Sequence, residues 1–321
     1  MKFLKSILPI LIVSTGLLIA IEIVARCTLS KIYNRSFDKA LLEAHKYGDT
    51  DGLKANATGM VWGKGFHTDE MGGRLQPKTK NKKNKIFYIG DSVTEGVGVD
   101  DSCTFAYQTD KDADSLYEVR NISLIGWSSA DYKNVVNNLL TDKCDSNNTA
   151  IFLFYCLNDI YGKAKTKDLP TMCNKCIISS INSVLQQRYA TYKLLKLWIY
   201  NNSDYYYQYD AKLYTDTSKV NQVVADLSAI ATTCAHHGVN FGLIILPYRS
   251  QLKNEKANYP QQVLKGQIQA HHIPCFDLLG DLANQSNIDS LYLYADEIHF
   301  SAKGHKAIAK LLIGFNDKRG L

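Results

Sequence analysis

A serine, an aspartate and a histidine stand in two short motifs at opposite ends of the sequence. Ser92 is the third residue of G-D-S-V-T-E-G at residues 90–96, directly after an apolar run at residues 86–89. Asp296 and His299 bracket the motif D-E-I-H, a spacing that lets both side chains meet in one tight turn. A serine hydroxyl becomes a nucleophile when an imidazole accepts its proton and a carboxylate orients that imidazole. The motifs therefore predict acyl transfer with Ser92 as nucleophile, His299 as general base and Asp296 as the orienting group.

Two glycines flank the candidate nucleophile. Gly90 and Gly96 allow a sharp turn from a strand into a helix, which exposes Ser92 and aims backbone N–H groups at a developing oxyanion. Asp91 is expected to support this turn by hydrogen bonding. A purely structural turn with a serine N-cap is the alternative for G-D-S alone, and the second motif argues against it.

Short apolar runs alternate with helical patterns from residue 86 onward. This alternation predicts a parallel sheet that is covered by helices on both faces. Reactive groups of such folds gather at the carboxyl ends of the strands, where Ser92 and Asn158 both fall. The predicted strands are residues 86–89, 118–125, 150–155, 240–246 and 274–278, and the predicted helices are 130–140, 219–236, 260–271 and 302–315.

Four blocks of the sequence together resemble the SGNH (GDSL) hydrolase family. They are residues 90–96, Gly126 after a predicted strand, the pair Asn158-Asp159, and the closing block 296–305. The resemblance implies a three-layer α/β/α sandwich with a central parallel sheet. It also implies an oxyanion hole formed by Ser92, the Gly126 backbone N–H and the Asn158 side chain. The sequence departs from the family pattern G-x-N-D at one position, where Cys156 replaces the glycine.

The closing block also contains Ser301 and His305. The resemblance places Ser301 as the cap of the last helix, and His305 is expected on a helix face rather than as a second catalytic base.

These residues indicate a serine esterase that acts on acetyl or short acyl esters of an envelope glycan or lipid. Two alternatives stay open. One is an O-acetyltransferase that moves an acetyl group onto a polysaccharide, and the other is a non-catalytic binding protein that retains the fold. The replacement at Cys156 favours the second alternative, whereas the presence of all three residues of the Ser92 triad argues against it. No cofactor is implied.

The N-terminus carries a targeting signal. Lys2 and Lys5 precede an apolar run that nearly reaches the length of a membrane span over residues 6–25, and no good cleavage pattern follows it. We therefore expect residues 1–26 to form an uncleaved signal anchor, a single transmembrane helix with the catalytic domain exported to the periplasmic or extracellular side. Secretion after signal cleavage is the alternative.

The rest of the chain is expected to divide at residue 86. Residues 27–85 are predicted to be a connector and loop, with a polar helix and linking segment over residues 27 to about 60 and a loop at residues 66–74. Residues 86–318 are predicted to form the hydrolase domain, with an insertion at residues 160–217 that contains a helical stretch at 177–200. The tyrosine-rich segment 205–209 of this insertion is interpreted as packing on the main domain or as a wall that stacks on sugar rings.

Charge and cysteine content exclude other partners. The net charge is +6, but five lysines lie within residues 78–85, a solvated linker without the aromatic residues typical of nucleic-acid binding. Cys173 and Cys176 form one C-x-x-C pair, and a zinc site needs a second ligand pair that the sequence lacks. We therefore expect neither a metal nor nucleic acid, and the pair is interpreted as a local disulfide or two free thiols.

Overall fold

The structure is a computed structural model that describes residues 2–77, 84–112, 117–142, 148–162, 176–201, 204–254 and 257–319. The chain forms two compact units. The smaller unit comprises Met1–Asn34 and Leu169–Ser203, and the larger one comprises Arg35–Asp168 and Asp204–Leu321.

Strands occur only in the larger unit among the described residues, whereas helices occur in both. The helices are α1 (Lys2–Ile32), α2 (Ser92–Glu95), α3 (Phe105–Asp112), α4 (Ser129–Asp142), α5 (Cys176–Arg188), α6 (Ala190–Asn201), α7 (Tyr205–Leu213), α8 (Thr217–His236), α9 (Arg249–Lys253), α10 (Tyr259–Gln269), α11 (Leu279–Ala283) and α12 (Ala302–Arg319). The strands are β1 (Leu42–Tyr47), β2 (Thr50–Leu53), β3 (Thr58–Val61), β4 (Lys64–His67), β5 (Asn84–Gly90), β6 (Tyr117–Ser123), β7 (Thr149–Cys156), β8 (Asn240–Leu246) and β9 (Cys275–Asp277).

A five-stranded parallel sheet in the order β6-β5-β7-β8-β9 forms the centre of the larger unit. From β5 the chain first moves to β6 at one edge of the sheet and then returns past β5 to β7, β8 and β9. Right-handed crossovers therefore place α3 on one face of the sheet and α4, α8 and α10 on the other. The packing agrees, because α12 contacts α3 while α4 and α10 contact α8. Strand β7 is buried along its whole length, as expected for the middle of a parallel sheet. The predicted α/β/α sandwich is confirmed, and all nine predicted strands and helices of this sheet region appear within a few residues of their expected limits.

The segment before the sheet differs from its prediction. A polar helix and connector were expected over residues 27 to about 60, but the helix ends at Ile32 and two antiparallel hairpins, β1-β2 and β3-β4, follow it. Their strands are only four to six residues long, too short for alternation to show clearly in the sequence. Single apolar side chains such as Leu41, Leu53, Val61 and Phe66 nevertheless join the main core. Residues 35–77 therefore pack as part of the larger unit.

The smaller unit contains α1 and two helices of the insertion, α5 and α6. The predicted helical stretch 177–200 is present as α5 and α6, which are separated at Tyr189. The Glu22 carboxylate of α1 accepts hydrogen bonds from the backbone N–H groups of Ala190 (2.8 Å) and Thr191 (3.0 Å), so it satisfies the amino end of α6. Ile7–Ile32 is long and apolar enough to span a membrane by length and composition.

Candidate active site

Ser92 lies at the point where the central strand β5 turns into α2. Asp91 caps this short helix by accepting from the Val93 N–H at 2.9 Å, as the sequence predicted. Gly96 ends it in the left-handed conformation, with φ of +80°. A Cβ atom at Gly90 would lie 2.1 Å from the Thr94 hydroxyl, so only glycine fits at the start of the turn. The turn holds Ser92 at the carboxyl edge of the sheet.

The structure brings the three predicted catalytic residues together. The Ser92 Oγ lies 2.8 Å from His299 Nε2, and His299 Nδ1 lies 3.0 Å from both carboxylate oxygens of Asp296. Since Nδ1 faces a carboxylate, it carries the ring proton, which leaves Nε2 as the acceptor for the serine hydroxyl. This hydrogen-bonded chain joins residues 207 positions apart in sequence.

The Asp296 carboxylate is ionised in this setting. Burial alone would raise the pKa of Asp296. The interactions with His299 and the charge of Arg35 together outweigh burial and hold this pKa below its ordinary value. Backbone N–H groups of Ile298 and His299 also donate to Asp296 Oδ1, each at 2.8 Å. A charged acceptor is thus available to stabilise an imidazolium.

Sequence reasoning missed two residues that contact this group. Arg35 Nη2 donates to Asp296 Oδ2 at 2.5 Å, and the Trp62 ring lies 4.5 Å from the His299 ring, measured between centroids. Both residues come from the segment that was predicted to be a connector. The one available signal was the dipeptide Trp62-Gly63, since a glycine between short strands is typical of a hairpin turn.

The three predicted oxyanion donors have different surroundings. Gly126 is exposed and has a φ of +83°, which explains the glycine, and its N–H has no acceptor within the described ranges. Asn158 Nδ2 donates to Asp91 Oδ2 at 3.2 Å. An asparagine amide has two N–H groups, so this bond orients the side chain and leaves one donor for a substrate oxygen. The Ser92 N–H lies at the amino end of α2, where helical N–H groups lack intrahelical partners.

A buried carboxyl supports the loop of Gly126. Glu95, in the nucleophile motif, accepts from the Ile125 N–H at 2.7 Å. Burial raises the pKa of Glu95 to about 8, against the opposing effect of Arg74 and of the Ile125 hydrogen bond. Glu95 thus connects the turn of the nucleophile to the loop of a predicted oxyanion donor.

Arg74 holds the backbone that follows Ser92 by hydrogen bonds. Its buried guanidinium donates to the carbonyl oxygens of Glu95 (2.7 Å), Gly96 and Val99 (2.6 Å), and to Asp101 Oδ1 (2.8 Å). Four acceptors in fixed directions suit the fork of an arginine rather than a lysine. The predicted loop at residues 66–74 therefore ends in Arg74, which fixes the backbone at the end of the Ser92 turn.

Cys156 occupies the family's glycine position without distorting the chain. Its φ is −106°, an extended value that any residue adopts, and its N–H donates to Asp159 Oδ2 at 2.8 Å. Tyr132 donates to the other oxygen of Asp159 at 2.9 Å. The turn that presents Asn158 is thus held by Asp159.

Ser301 and His305 take the structural positions expected for them. Ser301 Oγ accepts from the Gly304 N–H at 3.3 Å at the start of α12. His305 is buried on α12, where its Nδ1 accepts from the Phe105 N–H at 3.1 Å. Burial lowers the pKa of His305 to about 3, so the ring is neutral and serves packing.

The tyrosine-rich segment forms α7 and packs on the larger unit. Tyr207 is buried and donates to the Ala257 carbonyl at 2.9 Å, while Asp210 accepts from Tyr161 and Tyr248, each at 2.5 Å. The packing interpretation is confirmed for Tyr207, whereas Tyr206 is exposed, and a sugar-stacking wall stays a prediction. Among the residues that the structure describes, no cluster suits a metal ion. Cys173 lies outside the described residues, as do the lysines of the 78–83 run.

Fold and site together define a class: an α/β/α hydrolase with a serine, histidine and aspartate aligned at the strand ends. The model of the GDSL-like lipase/acylhydrolase family matches residues 88–307, so the chain belongs to that family and is an ester-bond hydrolase. No curated protein matches the sequence.

Solved structures of similar fold share little sequence with this chain. A lipase/acylhydrolase from Enterococcus faecalis is 16% identical, covers 74% of this chain and 96% of its own, and has a TM-score of 0.43. The esterase EstA from Pseudoalteromonas sp. is 12% identical, covers 74% and 98%, and has a TM-score of 0.44. The acetylxylan esterase Axe2 from Geobacillus stearothermophilus is 14% identical, covers 73% and 94%, and has a TM-score of 0.43.

Proposed function

We propose that the protein hydrolyses acetyl or short acyl esters through a covalent intermediate on Ser92. The observation that carries the proposal is the 2.8 Å contact between Ser92 Oγ and His299 Nε2, with Asp296 behind the ring. A non-catalytic binding protein has no need for this alignment. The same alignment is compatible with transfer of an acetyl group to a polysaccharide hydroxyl. The experiment therefore has to distinguish an esterase from an O-acetyltransferase.

The proposed reaction has two half-reactions. Ser92 Oγ attacks the ester carbon while His299 Nε2 takes the hydroxyl proton, and the carbonyl oxygen becomes an oxyanion. The intermediate then collapses, the bond to the alcohol breaks, and His299 returns the proton to the leaving oxygen. Water attacks the acyl-serine in the same way, which releases the carboxylic acid and restores the Ser92 hydroxyl.

The oxyanion donors in this proposal are the N–H groups of Ser92 and Gly126 and the Asn158 amide. Asn158 is held by Asp91, and Gly126 is held through the neighbouring Ile125 N–H. Donors fixed before substrate binds need no reorganisation when charge develops, which is where such groups lower the barrier most. No cofactor enters the proposed steps.

We further propose that the protein is a single-pass membrane protein whose hydrolase domain is exported and acts on an envelope glycan or lipid ester. The support is the length and apolar character of α1, whose apolar side chains between residues 8 and 24 are largely exposed. Loss of a cleaved signal instead would give a secreted enzyme, and the size of the mature chain distinguishes the two.

The test uses the full chain in detergent. A truncated domain that begins at residue 60 would lack Arg35 and the hairpin β1-β2, which belong to the larger unit. Hydrolysis of p-nitrophenyl acetate, butyrate and octanoate is compared among the wild type, Ser92→Ala and the matched control Ser102→Ala, an exposed serine of the same unit. A fluorophosphonate probe reports the reactive serine directly.

The proposal expects turnover and labelling in the wild type and in Ser102→Ala, loss of both in Ser92→Ala, and rates that fall from acetate to octanoate. Equal activity in the wild type and Ser92→Ala, or an unlabelled Ser92, would reject the mechanism. Faster release of aryl alcohol on addition of a polysaccharide, with acetyl recovered on the polysaccharide rather than as acetate, would identify the transferase.

A further inference from the structure

The Asp296 carboxylate has a second cationic partner besides the triad histidine. Arg35 Nη2 donates to Oδ2 at 2.5 Å, and the same oxygen lies 3.0 Å from His299 Nδ1. The backbone N–H groups of Ile298 and His299 occupy Oδ1. Both carboxylate oxygens are thus fixed, so the carboxylate cannot rotate about its bond to Cβ without losing the arginine.

Trp62 contacts both the arginine and the histidine. The Arg35 Cζ lies 3.8 Å from the centre of the Trp62 ring, which is a cation–π distance. The His299 ring meets the indole at an angle of 66° with 4.5 Å between ring centroids. A rotation of the imidazole about its side-chain bonds would move it into or away from the indole, so this contact restricts the ring.

Backbone hydrogen bonds hold the two residues in place relative to each other. The Trp62 N–H donates to the Ser36 carbonyl at 2.7 Å, and the Asp38 N–H donates to the Met60 carbonyl at 3.1 Å. The chain around Arg35 therefore runs along β3 like an added strand. Arg35 and the hairpin tip reach the triad as one unit.

We propose that Arg35 and Trp62 are positioning residues of the catalytic centre: Arg35 orients the Asp296 carboxylate and disfavours the protonated form of His299, while Trp62 restricts the imidazole. This proposal rests on the proposed function, since it assigns roles relative to the Ser92 nucleophile. Neither residue needs to touch substrate for these roles.

The electrostatic part has a definite sign. Asp296 on its own loop, Asp91 on the nucleophile turn and His305 on α12 also lie close enough to His299 to interact with its charge. Arg35 is the permanently charged cation in this group, and a positive charge near the imidazole opposes its protonation. Without Arg35 this opposition is lost, and we expect the loss of labelling at acidic pH to begin at a higher pH. For charges roughly 6 Å apart, effective dielectric constants of 80 to 20 correspond to about 0.5 to 2 pH units.

The experiment measures the rate of fluorophosphonate labelling of the full chain in detergent from pH 4.5 to 9. Arg35→Met removes the charge and keeps the length of the side chain, whereas Arg35→Lys keeps the charge and loses the fork. The matched control is Lys64→Met, which removes a positive charge from the hairpin that carries Trp62, where Lys64 pairs with Asp100 at 3.1 Å rather than with Asp296. Thermal unfolding of each variant separates loss of folding from loss of function.

The proposal expects the acidic limb of the Arg35→Met profile to move to higher pH by about 0.5 to 2 units. Lys64→Met should reproduce the wild-type profile, and Arg35→Lys should keep the wild-type midpoint with a lower plateau. A purely structural arginine would lower the melting temperature and the plateau but leave the midpoint unchanged, and that result would overturn the electrostatic role.

A double-mutant cycle tests the contact of Trp62 with Arg35. Trp62→Phe and Arg35→Met should each slow labelling at the plateau, and the double variant should lose less than the product of the two single losses because the residues act together. Strictly multiplicative losses would reject the shared role. A wild type whose Ser92 is never labelled would reject the proposed function and this inference with it, whereas a labelled wild type with unmoved profiles rejects the inference alone.

Discussion

Replacement of Glu95 by glutamine is expected to change how the stability of the protein depends on pH. Glu95 is fully buried, accepts from the Ile125 N–H at 2.7 Å, and has a pKa raised by burial to about 8. At pH 7 the side chain is therefore largely a neutral carboxylic acid. Glutamine has the same shape, keeps a carbonyl oxygen for the Ile125 N–H, and cannot ionise.

The sign follows from proton binding in the two states. The folded protein holds the Glu95 proton up to about pH 8, while the unfolded chain releases it near 4.5, the ordinary pKa of a glutamate. Between these values the folded state binds more protons, so its stability falls as pH rises, by at most about 1.4 kcal/mol per pH unit. This contribution is complete below about pH 4.5 and is lost as pH rises through about 8. Glu95→Gln lacks it, so the variant should gain stability relative to the wild type across this window, by a few kcal/mol in total.

The assay is urea unfolding of the wild type and Glu95→Gln at pH 5, 6, 7, 8 and 9. Glu43→Gln is the matched control, because Glu43 lies on the exposed face of β1. The Glu43→Gln curve should run parallel to the wild type, and the Glu95→Gln curve should diverge upward. Parallel curves for all three proteins would show that Glu95 has no raised pKa in the folded state and would refute the reasoning.

Two further predictions concern the turn and the oxyanion hole. Asn158→Ala should lower kcat by about 10²- to 10³-fold with little change in KM, because the amide acts on charge that develops only in the transition state; steady-state kinetics with an aryl acetate check this, and an equal rise in KM would instead indicate a role in substrate binding. Gly90→Ala should destabilise the fold by about 1 to 3 kcal/mol, because its Cβ would lie 2.1 Å from the Thr94 hydroxyl; thermal unfolding measures this, and an unchanged melting temperature would contradict the tight turn.

The sequence was sufficient to predict the parallel sheet and to single out Ser92, Asp296 and His299, which the structure brings within hydrogen-bonding distance. Ser92 and Asn158 follow strands whose apolar runs are long enough to recognise, and the family's motifs mark Asp296 and His299. The roles of Arg35 and Trp62 depend on contacts that no local pattern encodes. Arg35 pairs with a carboxylate 261 positions away, and the short strands that carry Trp62 show no period long enough to detect.

Glu95 illustrates a different limit. The motif G-D-S-V-T-E-G contains Glu95, yet nothing in the sequence distinguishes it from an ordinary acidic residue in the first turn of a helix. Its burial results from the packing of the Gly126 loop and Arg74 around α2. The sequence motif therefore locates the residue, and only the tertiary contacts show the burial that raises the pKa of its carboxyl.

The hairpin turn at Trp62 has a consequence for engineering. Both central residues of the turn have positive φ, +50° at Trp62 and +76° at Gly63, as in the type I′ turns that favour asparagine and glycine. A bulky side chain in this left-handed conformation costs about 1 kcal/mol relative to glycine. Trp62→Asn or Trp62→Gly would relieve this backbone cost, but it would also remove the packing of the indole on the core and its contacts with Arg35 and His299. A design that replaces this turn by an ideal Asn-Gly pair would therefore remove a contact of the catalytic histidine, so Trp62 should be kept when the hairpin is redesigned for heat resistance.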